Sequence, residues 1–368
     1  MRYLDEFRDP ARAQALLRHI HAQARQPLRL MEFCGTHTQA IFRYGIRQLL
    51  PEPVTMLSGP GCPVCVTSAS DLDRAIGLAS IPSVTLATFG DMLRVPGSQG
   101  SLQAAKAAGA DVRVVYSSLD ALELARQHPE RTVVLLGIGF ETTAPTIAAT
   151  ILQAEEEGLA NLRLYSLHKL TPPATVAILQ AGEVALDGIL APGHVSAIIG
   201  AQAWEFVARD FGLPCAVAGF EPLDILMGIR DLVEQRQAGQ AEIHNTYGRG
   251  VRPHGNPTAL RLLAEVFEPA AAEWRGLGTL ADSGLRLRER FRRFDAQPLL
   301  AEQGLDRLQG REPAGCRCGD VLRGTTSPDG CPLFGRACTP ERPIGPCMVS
   351  SEGSCAAYYR YKPQGGTG

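Results

Sequence analysis

The sequence lacks the features that would assign it to a membrane, a secretory pathway or nucleic-acid binding. Its 36 Lys and Arg face 38 Asp and Glu, so no positive excess attracts a phosphate backbone. No apolar run is long enough to cross a membrane, and the amino terminus, MRYLDEFRDPAR, has no signal-peptide core. We therefore expect no nucleic-acid partner, no membrane segment and a cytoplasmic location.

Cysteine, by contrast, is abundant, with 10 residues in a chain of 368. In a reducing compartment this number indicates metal ligation or redox chemistry rather than a disulfide framework. Cys34, Cys62 and Cys65 lie near the amino terminus, Cys215 stands alone, and six more fall within residues 316–355. The distribution predicts two separate thiol centres.

Short apolar segments alternate with segments of helical periodicity after a predicted helix at about residues 9–24. The apolar segments are LRLMEF, EPVTMLSG, SVTLATFG, VRVVYS, TVVLLGIGF, LRLYSL, DGILAPG and PCAVAGF. Such alternation is typical of right-handed βαβ units with parallel sheets. We predict an α/β fold with two parallel-sheet domains flanking a cleft, residues 1–138 and 139–240. Residues 241–368, where the strand pattern stops, would form a cysteine-rich C-terminal domain held by a metal centre.

Reactive side chains follow the predicted strands at one sheet edge, where open parallel sheets bind ligands. Cys34, in FCGTHT, could be a buried core thiol, as free cysteines often are. Alternatively, a helix N-cap at Thr36 or Thr38 would place its sulfur near a helix amino terminus, where the thiolate is favoured. Spacing alone leaves both interpretations open.

The motif GPGCPVC, at residues 59–65, is more specific. Two cysteines separated by two residues can close a small disulfide or hold one metal, and the glycines and prolines make a stiff, approachable loop. The structural alternative is half of a zinc knuckle, but no second pair of this spacing occurs in the first 300 residues. We predict a redox dithiol at Cys62 and Cys65, or an iron site shared with Cys34.

Glu141, in GFETTAP, and His194, in APGHVS, also follow predicted strands. Glu141 could simply cap the helix that begins at Ala144, and His194 could be a capping or packing residue. Because both fall at the same sheet edge as Cys34, we predict that they line the functional cleft.

The C-terminal cysteines are mostly separated by several residues each. Spread thiolates of this kind suit an iron–sulfur cluster, whereas a tetrahedral zinc site usually shows tighter pairs. The closely spaced triplet of radical enzymes is absent. The predicted cluster ligands are Cys331, Cys338, Cys347 and Cys355. Cys318, with or without Cys316, would be a redox partner beside the cluster or a substitute ligand.

Together, FCGTHT, GPGCPVC, GFETTAP, APGHVS and CMVSSEGSCAAYYRY resemble the motifs of the HypD family, the formation proteins of [NiFe]-hydrogenases. They occur in the family's order and run from Cys34 to Tyr361, nearly the whole chain. The resemblance implies two α/β domains and a [4Fe-4S] domain. It also implies a scaffold on which an iron with two cyanides and one carbon monoxide, Fe(CN)2CO, is built before transfer to the hydrogenase.

The resemblance also implies roles for single residues. Cys34 would ligate the iron jointly with the N-terminal cysteine of the small chaperone HypC. Cys62 and Cys65 would form a thiol–disulfide pair near that iron, and His194 and Glu141 would line the cleft. The cyanide would come from a carbamoyl-derived thiocyanate carried by HypE.

Elementary chemistry favours the same mechanism. Cyanide and carbon monoxide make low-spin iron, for which soft thiolate is a suitable ligand. Receiving cyanide from a thiocyanate requires electrons, and we hypothesise that the cluster reduces the Cys62–Cys65 disulfide so that the dithiol supports the transfer. Two other classes stay open: a thiol–disulfide reductase that passes electrons from the cluster to a partner protein, and a structural zinc protein that serves only as an assembly scaffold.

Overall fold

The computed structural model describes residues 5–361, and eleven β-strands lie within them. The strands are β1 (Leu28–Glu32), β2 (Val54–Ser58), β3 (Val84–Thr88), β4 (Val112–Val114), β5 (Thr132–Gly137), β6 (Leu162–Ser166), β7 (Gly188–Pro192), β8 (Cys215–Ala218), β9 (Ile243–Asn245), β10 (Phe267–Trp274) and β11 (Gly278–Leu287). The first eight coincide with the eight strands predicted from the sequence, which confirms the α/β class.

The α-helices of the described residues vary from four to sixteen residues in length. They are α1 (Pro10–Gln23), α2 (Gly35–Arg43), α3 (Ile46–Leu49), α4 (Pro63–Val66), α5 (Ala69–Ala79), α6 (Gly90–Leu93), α7 (Leu102–Ala107), α8 (Ser118–Gln127), α9 (Ala144–Glu156), α10 (Thr171–Ala181), α11 (Gly193–Ile199), α12 (Glu205–Phe211), α13 (Pro222–Gln237), α14 (Pro257–Val266), α15 (Gln297–Glu302), α16 (Cys318–Leu322), α17 (Pro346–Val349) and α18 (Ser354–Tyr361). The predicted first helix is α1. It is capped by Asp9, whose carboxylate accepts hydrogen bonds from two backbone N–H groups of the first turn.

The larger sheet has the order β2-β1-β7-β8-β9, and all its strand pairs are parallel. From β1 the chain continues to the neighbouring strand β2 on one side, and from β7 it continues to the neighbouring strand β8 on the opposite side. The topological switch point, where such sheets bind ligands, therefore lies between β1 and β7. Cys34 follows the carboxyl end of β1, and His194 follows that of β7.

The smaller sheet has the order β4-β3-β5-β6 and is also entirely parallel. Its central strands β3 and β5 are buried along nearly their whole length, as expected where helices cover both faces of a sheet. Residues of both sheets share one apolar core that also includes Trp274 and Cys347.

The predicted boundary between residues 138 and 139 does not separate the two sheets. β5 and β6 lie on opposite sides of this boundary, yet they pair with each other from Val133–Leu162 to Gly137–Ser166. The chain instead leaves the larger sheet after β2, forms the smaller sheet with β3–β6, and returns with β7. The sequence could not show this, because interior parallel strands are all similarly apolar and do not identify their partners.

The expectation that the strand pattern stops near residue 240 is wrong. β9 extends the larger sheet, and β10 and β11 form an antiparallel hairpin. The hairpin strands, FEPAAAEW and GTLADSGLRL, are rich in Ala and Gly and contain a single β-branched residue, Thr279. None of the helices within residues 5–361 has the length and apolar character needed to span a membrane.

Candidate functional site

Cys34 lies at the switch point of the larger sheet, as the N-cap residue of α2, and is 1% exposed. The predicted caps Thr36 and Thr38 are inside the helix instead. Their hydroxyls donate elsewhere: Thr36 to the Glu352 carboxylate at 2.7 Å, and Thr38 to the Glu32 carboxylate. The helix therefore begins at the cysteine itself, with the sulfur at its amino terminus.

Glu32 supports the Cys34 loop from within the protein. Its carboxylate accepts hydrogen bonds from the Cys34 backbone N–H at 2.8 Å and from the Thr38 hydroxyl. Burial raises the pKa of Glu32 to about 8. Burial and the nearby Glu32 charge also raise the pKa of Cys34 far above its usual range. A thiol in this setting ionises readily only when a cation binds to it.

His194 faces Cys34 from the other side of the switch point. Its Nε2 is 3.6 Å from the Cys34 Sγ, and its ring stacks on Phe220 with a centroid distance of 4.9 Å. Burial lowers the pKa of His194 to about 4, so the ring is neutral at pH 7. His37 contacts the same Phe220 ring at 4.9 Å and donates from Nε2 to the Gly219 carbonyl at 2.9 Å.

The GPGCPVC loop lies directly against the Cys34 loop. The Gly35 N–H donates to the Gly61 carbonyl at 2.8 Å, and a Cβ added at Gly61 would lie only 2.2 Å from the Cys34 nitrogen. Cys62 and Cys65 are buried and joined by a disulfide. In this oxidised form Cys34 is the free thiol of the three. As placed, no three His, Cys, Asp or Glu side chains within residues 5–361 converge to hold a single metal ion.

Glu141 follows β5 in the smaller sheet, whereas Cys34 and His194 follow strands of the larger sheet. Its carboxylate accepts hydrogen bonds from the Thr171 backbone N–H at 2.8 Å and the Thr171 hydroxyl at 3.2 Å. It therefore stabilises the start of α10, and not the start of α9 at Ala144 as the capping alternative required. Burial raises the pKa of Glu141 to about 7.

The C-terminal cysteines surround one small cavity with apolar walls. The cavity is lined by Cys316, Cys318, Cys331, Cys338, Cys347 and Cys355, together with Leu333, Phe334, Gly345 and Met348. The Sγ atoms of Cys318 and Cys347 are 2.7 Å apart. Their hydrogen bond lowers the pKa of Cys318 and raises that of Cys347.

This cysteine-rich segment packs on both N-terminal thiol motifs. α17, which contains Cys347, contacts α4, which contains Cys65, and α18 contacts α2. The Tyr358 and Phe42 rings meet at the second contact, with centroids 4.4 Å apart. Glu352, in the loop between α17 and α18, accepts the hydrogen bond from the Thr36 hydroxyl. The three thiol-bearing segments are therefore held together.

Arg275 connects the segment that follows the disulfide to the C-terminal thiols. No sequence motif identified it as a site residue. Its side chain is buried, its Nε donates to the Thr67 carbonyl at 3.1 Å, and it pairs with Glu312. Its positive charge helps to lower the pKa of Cys318. Glu32 and Glu352 were missed too, although each lies beside a recognised cysteine motif.

These features define a cysteine-rich α/β protein: a free thiol lies at a sheet switch point, a disulfide packs against it, and six further thiols line one cavity. The family model described as "HypD: Hydrogenase formation hypA family" matches residues 11–362. The "Hydrogenase maturation factor HypD" of Azotobacter vinelandii is 50% identical, covering 99% of this chain and 98% of the relative. The protein of the same name from Escherichia coli K12 is 46% identical, covering 99% of both chains. The chain belongs to the HypD family.

Proposed function

We propose that this chain is a cytoplasmic scaffold on which the Fe(CN)2CO unit of [NiFe]-hydrogenase is assembled. HypC would supply a second thiolate to the iron, and HypE would supply the cyanide. The name of the relatives, hydrogenase maturation factor, supports the general role. The observation that carries the proposal is the free thiol of Cys34, 3.6 Å from His194, beside the Cys62–Cys65 disulfide.

Iron is the cargo of the Cys34 thiol. Ligation replaces the thiol proton with a cation, which offsets the desolvation that otherwise keeps this sulfur protonated. The Nε2 of neutral His194 lies where it can accept a hydrogen bond from the thiol before iron binds. One thiolate from this chain and one from HypC leave coordination positions on the iron for two cyanides and carbon monoxide.

The Cys62–Cys65 pair supplies the electrons that cyanide transfer requires. Cleavage of a thiocyanate, R–S–CN, to R–SH and CN⁻ takes up two electrons and one proton. The dithiol form of Cys62 and Cys65 supplies both electrons as it closes to the disulfide, and it releases two protons. The disulfide between these residues is the oxidised form in this scheme.

The C-terminal thiols fit a [4Fe-4S] cluster, which takes one thiolate at each of four irons and therefore needs thiols around a volume rather than at a point. The proposed ligands are Cys331, Cys338, Cys347 and Cys355. Cys318, in contact with Cys347, would exchange with a ligand or act as a redox partner. When bound, the cluster would supply the electrons that return the disulfide to the dithiol. The contact between α17 and α4 makes this path short.

A second function, thiol–disulfide reductase, is favoured by the same contact between α17 and α4. A reductase needs the disulfide and the cluster but has no use for Cys34 and His194. The isolated protein would then reduce a protein disulfide, and Cys34→Ala would leave that turnover unchanged. We favour assembly because it uses the thiol at the switch point.

Infrared spectroscopy of the protein copurified with HypC tests the proposal, because cyanide and carbonyl stretches report only on the assembled iron. We expect Cys34→Ala to lose these bands at least about tenfold and to keep its iron–sulfur absorbance. Cys215→Ala is the matched control, since Cys215 is also a buried free thiol but lies in β8. Full band intensity in Cys34→Ala would refute the ligand assignment.

A further inference from the structure

A second cavity, separate from the thiol site, lies beside the end of β6. Its volume is about 540 Å³, within the range of small-molecule pockets. Its walls come from α5, from the end of β6 and the segment that follows it, from the β10–β11 hairpin, and from residues 295 and 297. No cysteine of the described residues lines it.

Lys169 lies in the wall of this cavity and is 2% exposed. Lysine is rare in this chain, with three residues (Lys106, Lys169 and Lys362) among 36 Lys and Arg. A buried lysine is also unusual in proteins in general. Within the described residues, the Lys169 Nζ has one carboxylate partner, the Asp71 Oδ2 at 3.5 Å. An ammonium group has three donors, and one long contact leaves donor capacity unused.

The other polar groups in this wall also leave donors in excess. The Asp71 Oδ1 already accepts from the Arg74 Nη1 at 3.2 Å and from the Tyr165 hydroxyl at 3.3 Å. Glu273 accepts from the Ser70 hydroxyl. The Arg74 Nε is buried without a hydrogen-bond partner in residues 5–361. A bound molecule that brings acceptor oxygens would satisfy these groups.

We propose that this cavity binds a small monocarboxylate, whose oxygens accept hydrogen bonds from the Lys169 ammonium and the Arg74 guanidinium. Charge selects a monoanion, because the lining carries as many carboxylates as cations and a dianion meets repulsion that a single charge tolerates. The cations are Arg74, Lys169 and Arg286, and the carboxylates are Asp71, Glu273 and Asp295. The mainly polar lining disfavours an apolar ligand, and the unused donors disfavour a metal cation.

The test is calorimetric titration of the full-length protein with acetate, benzoate and inorganic phosphate. We expect saturable binding of at least one carboxylate, and phosphate binding at least about tenfold weaker. Lys169→Met removes the charge and keeps the side-chain length. It should weaken carboxylate binding about tenfold, the loss expected for a charged hydrogen bond. Lys106→Met, at an exposed lysine of α7, is the matched control and should bind as the wild type does.

Circular dichroism shows whether Lys169→Met folds. If it does not, Arg74→Gln decides, because it removes the second charged donor from a half-buried position and should weaken carboxylate binding by a similar factor. No saturable carboxylate binding to the wild type at millimolar concentrations overturns the proposal. So does phosphate binding as tightly as carboxylate, or carboxylate affinity unchanged in a folded Lys169→Met or Arg74→Gln protein.

Discussion

Gly61 allows the disulfide loop to lie against Cys34, because a side chain there would collide with the Cys34 backbone. We predict that Gly61→Ala lowers the free energy of unfolding by about 1–3 kcal/mol, the usual cost of overpacking, and weakens the cyanide and carbonyl bands although every cysteine is retained. Urea unfolding and infrared spectroscopy measure the two effects. Gly248→Ala is the control, since no atom lies within 4 Å of a Cβ there. Equal stability of the two variants would contradict the close approach.

At the same scale, the sequence identifies residues whose neighbours are local and misses those whose neighbours are distant. Cys34 and Cys62 lie in loops whose motifs are short and distinctive, so their position at a sheet edge could be predicted. The partner of Glu141 is Thr171, 30 positions along the chain, and no local pattern connects them. Arg275 is a buried charge whose partners, Thr67 and Glu312, only tertiary contacts reveal.

The short helices α17 and α18 act together as a brace on the thiol motifs. The link at their junction is the hydrogen bond from Thr36 to Glu352. We predict that Glu352→Ala makes the amides of residues 34–38 exchange about tenfold faster with solvent deuterium, as loss of a charged hydrogen bond would cause. Glu341→Ala, at an exposed acid of the same segment, should leave this exchange unchanged. Unchanged exchange in Glu352→Ala would mean that the brace does not order the Cys34 loop.

Strands and helices were largely predictable because their hydrophobic periods are local. Strand partners were not, since the division of β1–β9 between two sheets depends on where the chain crosses over. The β10–β11 hairpin escaped prediction because its strands are Ala- and Gly-rich, and its pairing is specified by tertiary contacts such as the one between Lys169 and Gly284.

Across the whole molecule, buried acids and histidines give stability opposite dependences on pH. Burial lowers the pKa of His37 and His194 to about 4 and that of His168 to about 3. The unfolded chain therefore binds more protons below about pH 6.5, and stability falls as the pH drops toward 4. Burial raises the pKa of Glu32 to about 8 and of Glu141 to about 7. Their contribution is complete below about pH 4.5 and is lost as the pH rises through 7 to 8.

His168 provides the clearest test of the acid side, because it lies outside the thiol site. We predict that between pH 7 and pH 5 the wild type loses about 2 kcal/mol of unfolding free energy that His168→Gln does not lose. Urea unfolding at several pH values measures the slopes. His254→Gln, at an exposed histidine, should keep the wild-type slope. Parallel slopes for wild type and His168→Gln would contradict the assigned protonation.

The most direct test of the account is selenium X-ray absorption after replacement of Cys34 by selenocysteine, in the protein copurified with HypC. The selenium edge reports only on atoms around position 34 and ignores the iron of a cluster elsewhere. If Cys34 ligates the assembled iron, the first shell of selenium contains an iron atom in samples that show cyanide and carbonyl bands. Selenium bonded to carbon alone, in a sample that keeps those bands, would contradict it.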